Sequence, residues 1–236
     1  MARMTGLLRY SLAALALCAP WSAKAEAPQS ACYGTPENGR LEDGIRLPRT
    51  GANFETYSTV GWLAGRTYVH SKVHSALLQA FATLEKSAPG KAFVYGETGW
   101  RSGGRIRPHK THRNGTSVDL MVPVLRGDKS VPLPATAFNR FGYDIEFDDR
   151  GVHGAYNIDW EALGQWIHDL HRAAVSQGIG IRRIIFEVPL QKHLLATAHG
   201  PYLRQNVAFS TKPAWVRHDE HIHVDFSVPC VPVPGR

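Results

Sequence analysis

The residues of this chain that could do chemistry gather in two short runs. One is His109-Lys110-Thr111-His112, followed by Asp119. The other is His218-Asp219-Glu220-His221-Ile222-His223. Together they hold five of the chain's 12 histidines. Neutral imidazole nitrogens and carboxylate oxygens are donors for zinc, and three of them plus an open position make the catalytic rather than the structural pattern. A lone His-x-His is weak evidence. The triple His-x2-His-x-His has a chance expectation of roughly 0.03 at this composition, so it is a signal. The remaining histidines (His70, His74, His153, His168, His171, His193 and His199) fall on predicted helices or turns and read as solvated or core residues.

These residues need elements to position them. Side chains alternate faces along a strand. In a strand over 221–228, Ile222, Val224 and Phe226 face the core, while His221, His223 and Asp225 share the opposite face. In a strand over 118–122, Val118, Leu120 and Val122 face the core and Asp119 points the other way. Further strands are predicted over 93–97 and 183–188. Val73, Ala76, Leu77, Ala80, Phe81 and Leu84 recur at helical spacing, and Pro89-Gly90 stops that helix. Trp160, Leu163, Trp166, Ile167, Leu170 and Ala174 make a second stripe, with Asp159 as N-cap and Gly178 as stop. A short helix is predicted over 190–198. Residues 99–117 and 126–157 read as long loops, and 26–68 as an N-terminal arm wrapping the domain. Strands and helices mix without a βαβ rhythm. The expectation is an α+β fold: a small antiparallel sheet carrying the metal site, flanked by helices, with long loops.

The chain has 236 residues, room for one domain, and ordinary composition, which excludes a disordered or fibrous protein. Arg3 and Arg9, the apolar run Leu12–Ala19 and Ala23-Lys24-Ala25 read as a cleavable signal peptide over 1–25. The peptide predicts export to the periplasm with no stable membrane insertion. Its removal takes three cations and no acid, leaving 211 residues at +4 where the full chain carries +7. That surplus permits an anionic partner. A nucleic-acid partner is disfavoured by export and by the lack of aromatic-basic interleaving. Of three cysteines, Cys32 and Cys230 survive cleavage, and a bridge between them is expected in an oxidising compartment.

In the order of its motifs the chain resembles the zinc peptidases grouped with lysostaphin, D-Ala-D-Ala peptidases and the hedgehog signalling domain. It looks most like the penicillin-insensitive murein endopeptidases. The resemblance rests on Gly103-Gly104, on His109 to Asp119 with Gly115, and on His218 to Val224, within a stretch from about Leu41 to Cys230. Two features depart from the family pattern: no bridges lie inside the C-terminal half, and the acidic Glu220 stands three residues before His223. In the dipeptidase relatives a glutamate at that spacing is the base.

The resemblance implies Zn2+ held by His112, Asp119 and His223, with His221 as general base and His218 stabilising the oxyanion. It also implies that His109 and an acid lie near the metal, Asp149 or its neighbour Asp148 being the candidate acid. The implied substrate is peptidoglycan, cut at the cross-link between D-alanine and meso-diaminopimelate. Arg101, Arg105, Arg107 and Arg113 could grip its stem carboxylates. Two alternatives stay open: a D,D- or L,D-carboxypeptidase on the same scaffold, and a non-catalytic wall-binding metal protein. Strand alternation turns Glu220 away from His221 and His223, which favours His221 as the base.

Overall fold

A computed structural model describes residues 29–233; the expected signal peptide lies outside them. The fold is α+β. Its centre is a five-stranded sheet of β1 (Phe54–Thr56), β2 (Phe93–Tyr95), β3 (Ser117–Met121), β4 (Gly180–Ile185) and β5 (His221–Ser227). The spatial order is β4-β5-β3-β2-β1, with every pair antiparallel except β1 with β2, which is parallel.

Helices α1 (Ser71–Ser87) and α2 (Trp160–Ser176) cover one face of this sheet. The two apolar stripes are why. Val73, Ala76, Leu77, Ala80, Phe81 and Leu84 of α1 are buried, as are Leu163, Trp166, Ile167, Leu170 and Ala174 of α2. Trp166 packs on Phe81 and Phe93, with ring centroids 5.6 and 4.8 Å away. The caps follow local chemistry. His70 Nδ1 accepts from the Lys72 amide at 3.1 Å and Asp159 accepts from the Ala162 amide at 3.1 Å. Gly178, at φ +67°, ends α2 in the left-handed region where glycine carries no steric penalty.

Three expectations change. The segment 26–68 does more than wrap: its Phe54–Thr56 forms the edge strand β1, because the backbone of Phe93–Tyr95 leaves an edge for it to pair with. The long excursion is ordered around a four-stranded sheet built from Val124–Arg126, Lys129–Val131, Val152–His153 and Tyr156–Ile158. The helical segment after β4 is two short helices, Gln191–Leu194 and Gly200–Asn206.

Cys32 and Cys230 are joined in a disulfide across 198 residues. Beside it, the Gly34 amide donates to the Val231 carbonyl at 2.8 Å and the Val231 amide to the Cys32 carbonyl at 2.9 Å, tying the two ends of the described chain together. Among the described residues no helix is long and apolar enough to cross a membrane.

Candidate metal centre

The register of β3 against β5 builds the site. Asp119 lies opposite His223, and Ser117 opposite Asp225, which in turn faces Arg183 on β4. One row therefore holds candidate ligands and the next holds their support. Ile222, Val224, Val118 and Leu120 face the core, as their alternation predicts, and each is fully buried. The opposite face is buried too: Asp119, His221, His223 and Asp225 are at most 4% exposed.

His112 reaches this face from the loop before β3. It adopts φ +65°, a left-handed conformation that histidine visits more readily than most residues. The loop closes through the Gly104 amide, which donates to the Arg113 carbonyl at 2.8 Å. At Gly103, also left-handed, a Cβ would sit 2.3 Å from that same carbonyl, so only glycine fits beside the His112 turn. His112 Nδ1–H donates to the Thr98 carbonyl at 3.1 Å, leaving the Nε2 lone pair for the site.

Three donor atoms converge. His112 Nε2 is 3.1 Å from Asp119 Oδ1 and 3.1 Å from His223 Nδ1, which is 3.0 Å from the same Asp119 oxygen. The other nitrogen of His223 donates to Asp225 at 2.8 Å. Asp225 is itself fixed by the Ser117 hydroxyl at 2.7 Å and by Arg183 at 2.7 and 2.9 Å. Such carboxylate–histidine support is the usual outer shell of a metal ligand. His109, on the other side, has a nitrogen 3.6 Å from Asp119 Oδ2. A group of His109, His112 and Asp119, with donor atoms within 4.8 Å of one another, could hold a metal ion. The His223 nitrogen lies closer still to the latter two.

His221 Nε2 stands 3.8 Å from Asp119 Oδ1, and its Nδ1 shares a proton with Glu220 Oε1 at 2.7 Å. Burial pushes the His221 imidazole down to about 4 and the Glu220 carboxyl up to about 8. The His218 ring lies 4.6 Å from that of His221, and burial pushes it down to about 4 as well. Its Nδ1–H donates to the Val216 carbonyl at 2.9 Å. All three groups line one cleft of about 1040 Å³ with His109, His223, Tyr143 and Glu97.

Several expected positions are corrected. Glu220 does not turn away from the site. It precedes β5 in a bend rather than in the strand, so alternation does not govern it, and its carboxylate meets His221. Asp149 is exposed on a turn, where its carbonyl accepts from His193 at 2.9 Å; Asp148 caps that turn. The acid beside His109 is Glu97, just beyond β2. It accepts from Tyr57 at 2.7 Å, from Arg66 at 2.5 and 2.7 Å, and meets His109 Nε2 at 2.7 Å. Burial would raise the Glu97 carboxyl, but the hydrogen bonds of His109 and Arg66 outweigh it and hold the group at about 2. The side chains of Arg105 and Arg107 are exposed and do not line the cleft; their carbonyls accept from Trp100 and Arg66. Nor do those of Arg101 and Arg113. The cations that do line it are Lys110, Arg140, Arg183, Lys212 and Arg217.

Comparison of the chain with protein-family models and with curated proteins returns no match. The site therefore stands on its own geometry. Sequence reasoning missed Tyr143, which carries no motif. It also passed over Glu97, although an acid next to a buried strand was a usable signal.

Proposed function

We propose that the chain is a zinc-dependent peptidoglycan hydrolase that cuts the D-alanyl–meso-diaminopimelyl cross-link in the periplasm. One observation carries the reading: three donor atoms from His112, Asp119 and His223 lie 3.0–3.1 Å apart, and His223 lines a large cleft. Donors about 2.0–2.1 Å from a tetrahedral zinc sit at about 3.3 Å from one another, so the set fits with little adjustment. Zn2+ held there supplies Lewis acidity, polarising a carbonyl and lowering the pKa of a water.

The chain's own residues do the rest. His221 Nε2 faces the ligand atoms, and its low affinity for a proton keeps it a free base at neutral pH. It takes a proton from water and returns it to the departing amine. His221 Nδ1–H donates to Glu220 Oε1, which fixes the ring's orientation and the tautomer that leaves the lone pair on Nε2. His218 spends its Nδ1–H on Val216, so its Nε2 carries a lone pair while the ring is neutral. Only its protonated form can donate to an oxyanion, and burial disfavours that form at neutral pH.

The motif resemblance to murein endopeptidases supports the substrate class. The cleft volume supports a branched, cross-linked peptide, since it exceeds what a dipeptide needs. Digestion of purified sacculi, with mass analysis of the released muropeptides, tests the proposal. Conversion of cross-linked dimers to intact monomers, abolished by a chelator, is the expected result. Loss of terminal D-alanine alone would make the protein a carboxypeptidase, and unchanged muropeptides would leave a wall-binding protein.

A further inference from the structure

Tyr143 belongs to the excursion between β3 and α2, far in sequence from both histidine runs, yet its side chain reaches the candidate ligands. The Glu97 amide donates to the Tyr143 oxygen at 3.0 Å, and the Tyr143 hydroxyl donates to Asp119 Oδ2 at 2.9 Å. The two bonds fix the direction of the hydroxyl proton, since an amide N–H only donates and a carboxylate only accepts. Asp119 is thereby divided: Oδ1 faces His112 and His223, and Oδ2 is held from the other side.

The backbone and the sheet both accommodate this contact. Arg140, Phe141 and Gly142 adopt φ of +48°, +60° and +100°, three left-handed residues in succession that fold the chain back immediately before Tyr143. For Arg and Phe that conformation is costly, and such strain persists only where surrounding contacts impose it. On β2's continuation, a Cβ on Gly96 would lie 2.8 Å from the Tyr143 hydroxyl and 2.9 Å from the Asp119 Cβ, so glycine leaves the space the hydroxyl occupies. Four residues on, the wall is pinned again: the Phe147 amide donates to Asp219, and Arg217 donates to the Phe147 carbonyl at 2.8 Å.

We infer that Tyr143 is a positioning residue for Asp119, holding Oδ2 so that Oδ1 alone is presented as a ligand. The inference rests on the metal site proposed above. It also gives the excursion a purpose, since one wall of the cleft then sets the denticity of a ligand that belongs to the central sheet.

Tyr143→Phe tests it with Co2+ as a spectroscopic probe. The substitution keeps the ring, which packs against Tyr57 and His221, and removes only the hydroxyl. Oδ2 is then free to enter the coordination shell. The visible bands of the Co2+ protein should shift and weaken as the coordination number rises. Metal affinity, from competition with a chromophoric chelator, should fall by about 10- to 100-fold, the range for loss of an outer-shell partner. A role in packing alone would alter stability and leave the spectrum in place. An unchanged spectrum with affinity within about twofold of the wild type would overturn the inference. If the wild-type protein takes up no Co2+, the metal reading itself fails and this inference falls with it.

Discussion

On one face of β3 and β5, Val118, Leu120, Ile222 and Val224 join a single apolar core with Leu77, Phe81, Leu163 and Trp166 of the two helices. On the other face of the same two strands, Asp119, His221, His223 and Asp225 are buried almost as deeply. Alternate residues of one strand pair thus meet equal burial with opposite energetics. Removing apolar surface from water stabilises by about 25 cal/mol per Å². Burying a carboxylate or an imidazole costs free energy unless each polar atom finds a partner. The polar face meets that condition almost atom by atom: Asp119 by Tyr143 and the two histidines, Asp225 by Ser117 and Arg183, Glu97 by Arg66, Tyr57 and His109. A hydrophobic cluster would serve stability better with fewer constraints. A polar face held at that cost in stability is what the proposed metal site requires.

The comparison can be broken from either side. The largest effect should come from His221→Ala, which removes the proposed base. Cross-link hydrolysis should fall by about 100- to 10,000-fold while metal stays bound; a variant with near wild-type turnover would move the base elsewhere. On the apolar face, Ile222→Ala should cost about 2–5 kcal/mol in denaturant unfolding through the cavity it leaves, with metal affinity nearly unchanged. Asp225→Asn should do the reverse, weakening metal affinity by about 10- to 100-fold while the unfolding midpoint moves less than in Ile222→Ala. Equal effects of these two substitutions on both measurements would mean that the faces are not functionally distinct.

The smallest effect is a pH dependence. The Glu97 carboxyl is held at about 2 in the fold against an ordinary 4.5. A depressed acid contributes stability that is fully present above pH 4.5 and is lost as pH falls toward 2. Unfolding midpoints of the protein should drop through that window, and Glu97→Gln should flatten the drop. A Glu97→Gln protein with an undiminished acid drop would place the responsible carboxylates elsewhere.

What could be read from the sequence divides along similar lines. Periodicity located α1, α2, β3 and β5, and it assigned the faces of both strands, because local side-chain geometry alone decides them. Cys32 with Cys230 was legible from the expected export and from terminal placement. Glu220 was misplaced because alternation was extended one residue beyond the strand, into a bend. Asp149 was favoured on the family resemblance, and Arg105 and Arg107 for sharing a loop with the first histidine run, whereas Glu97 and Lys212 reach the cleft through tertiary packing. Tyr143 could not be found at all: its position depends on three left-handed residues and on a missing Cβ at Gly96, neither of which periodicity reports.

The central claim is that the polar face is a single zinc site. Metal analysis of the purified protein beside His112→Ala tests it most directly. About one zinc ion per wild-type chain is expected, and almost none in the variant, with the variant still folded. A wild-type protein that holds no metal after exposure to Zn2+, or a His112→Ala protein that holds as much, would contradict it.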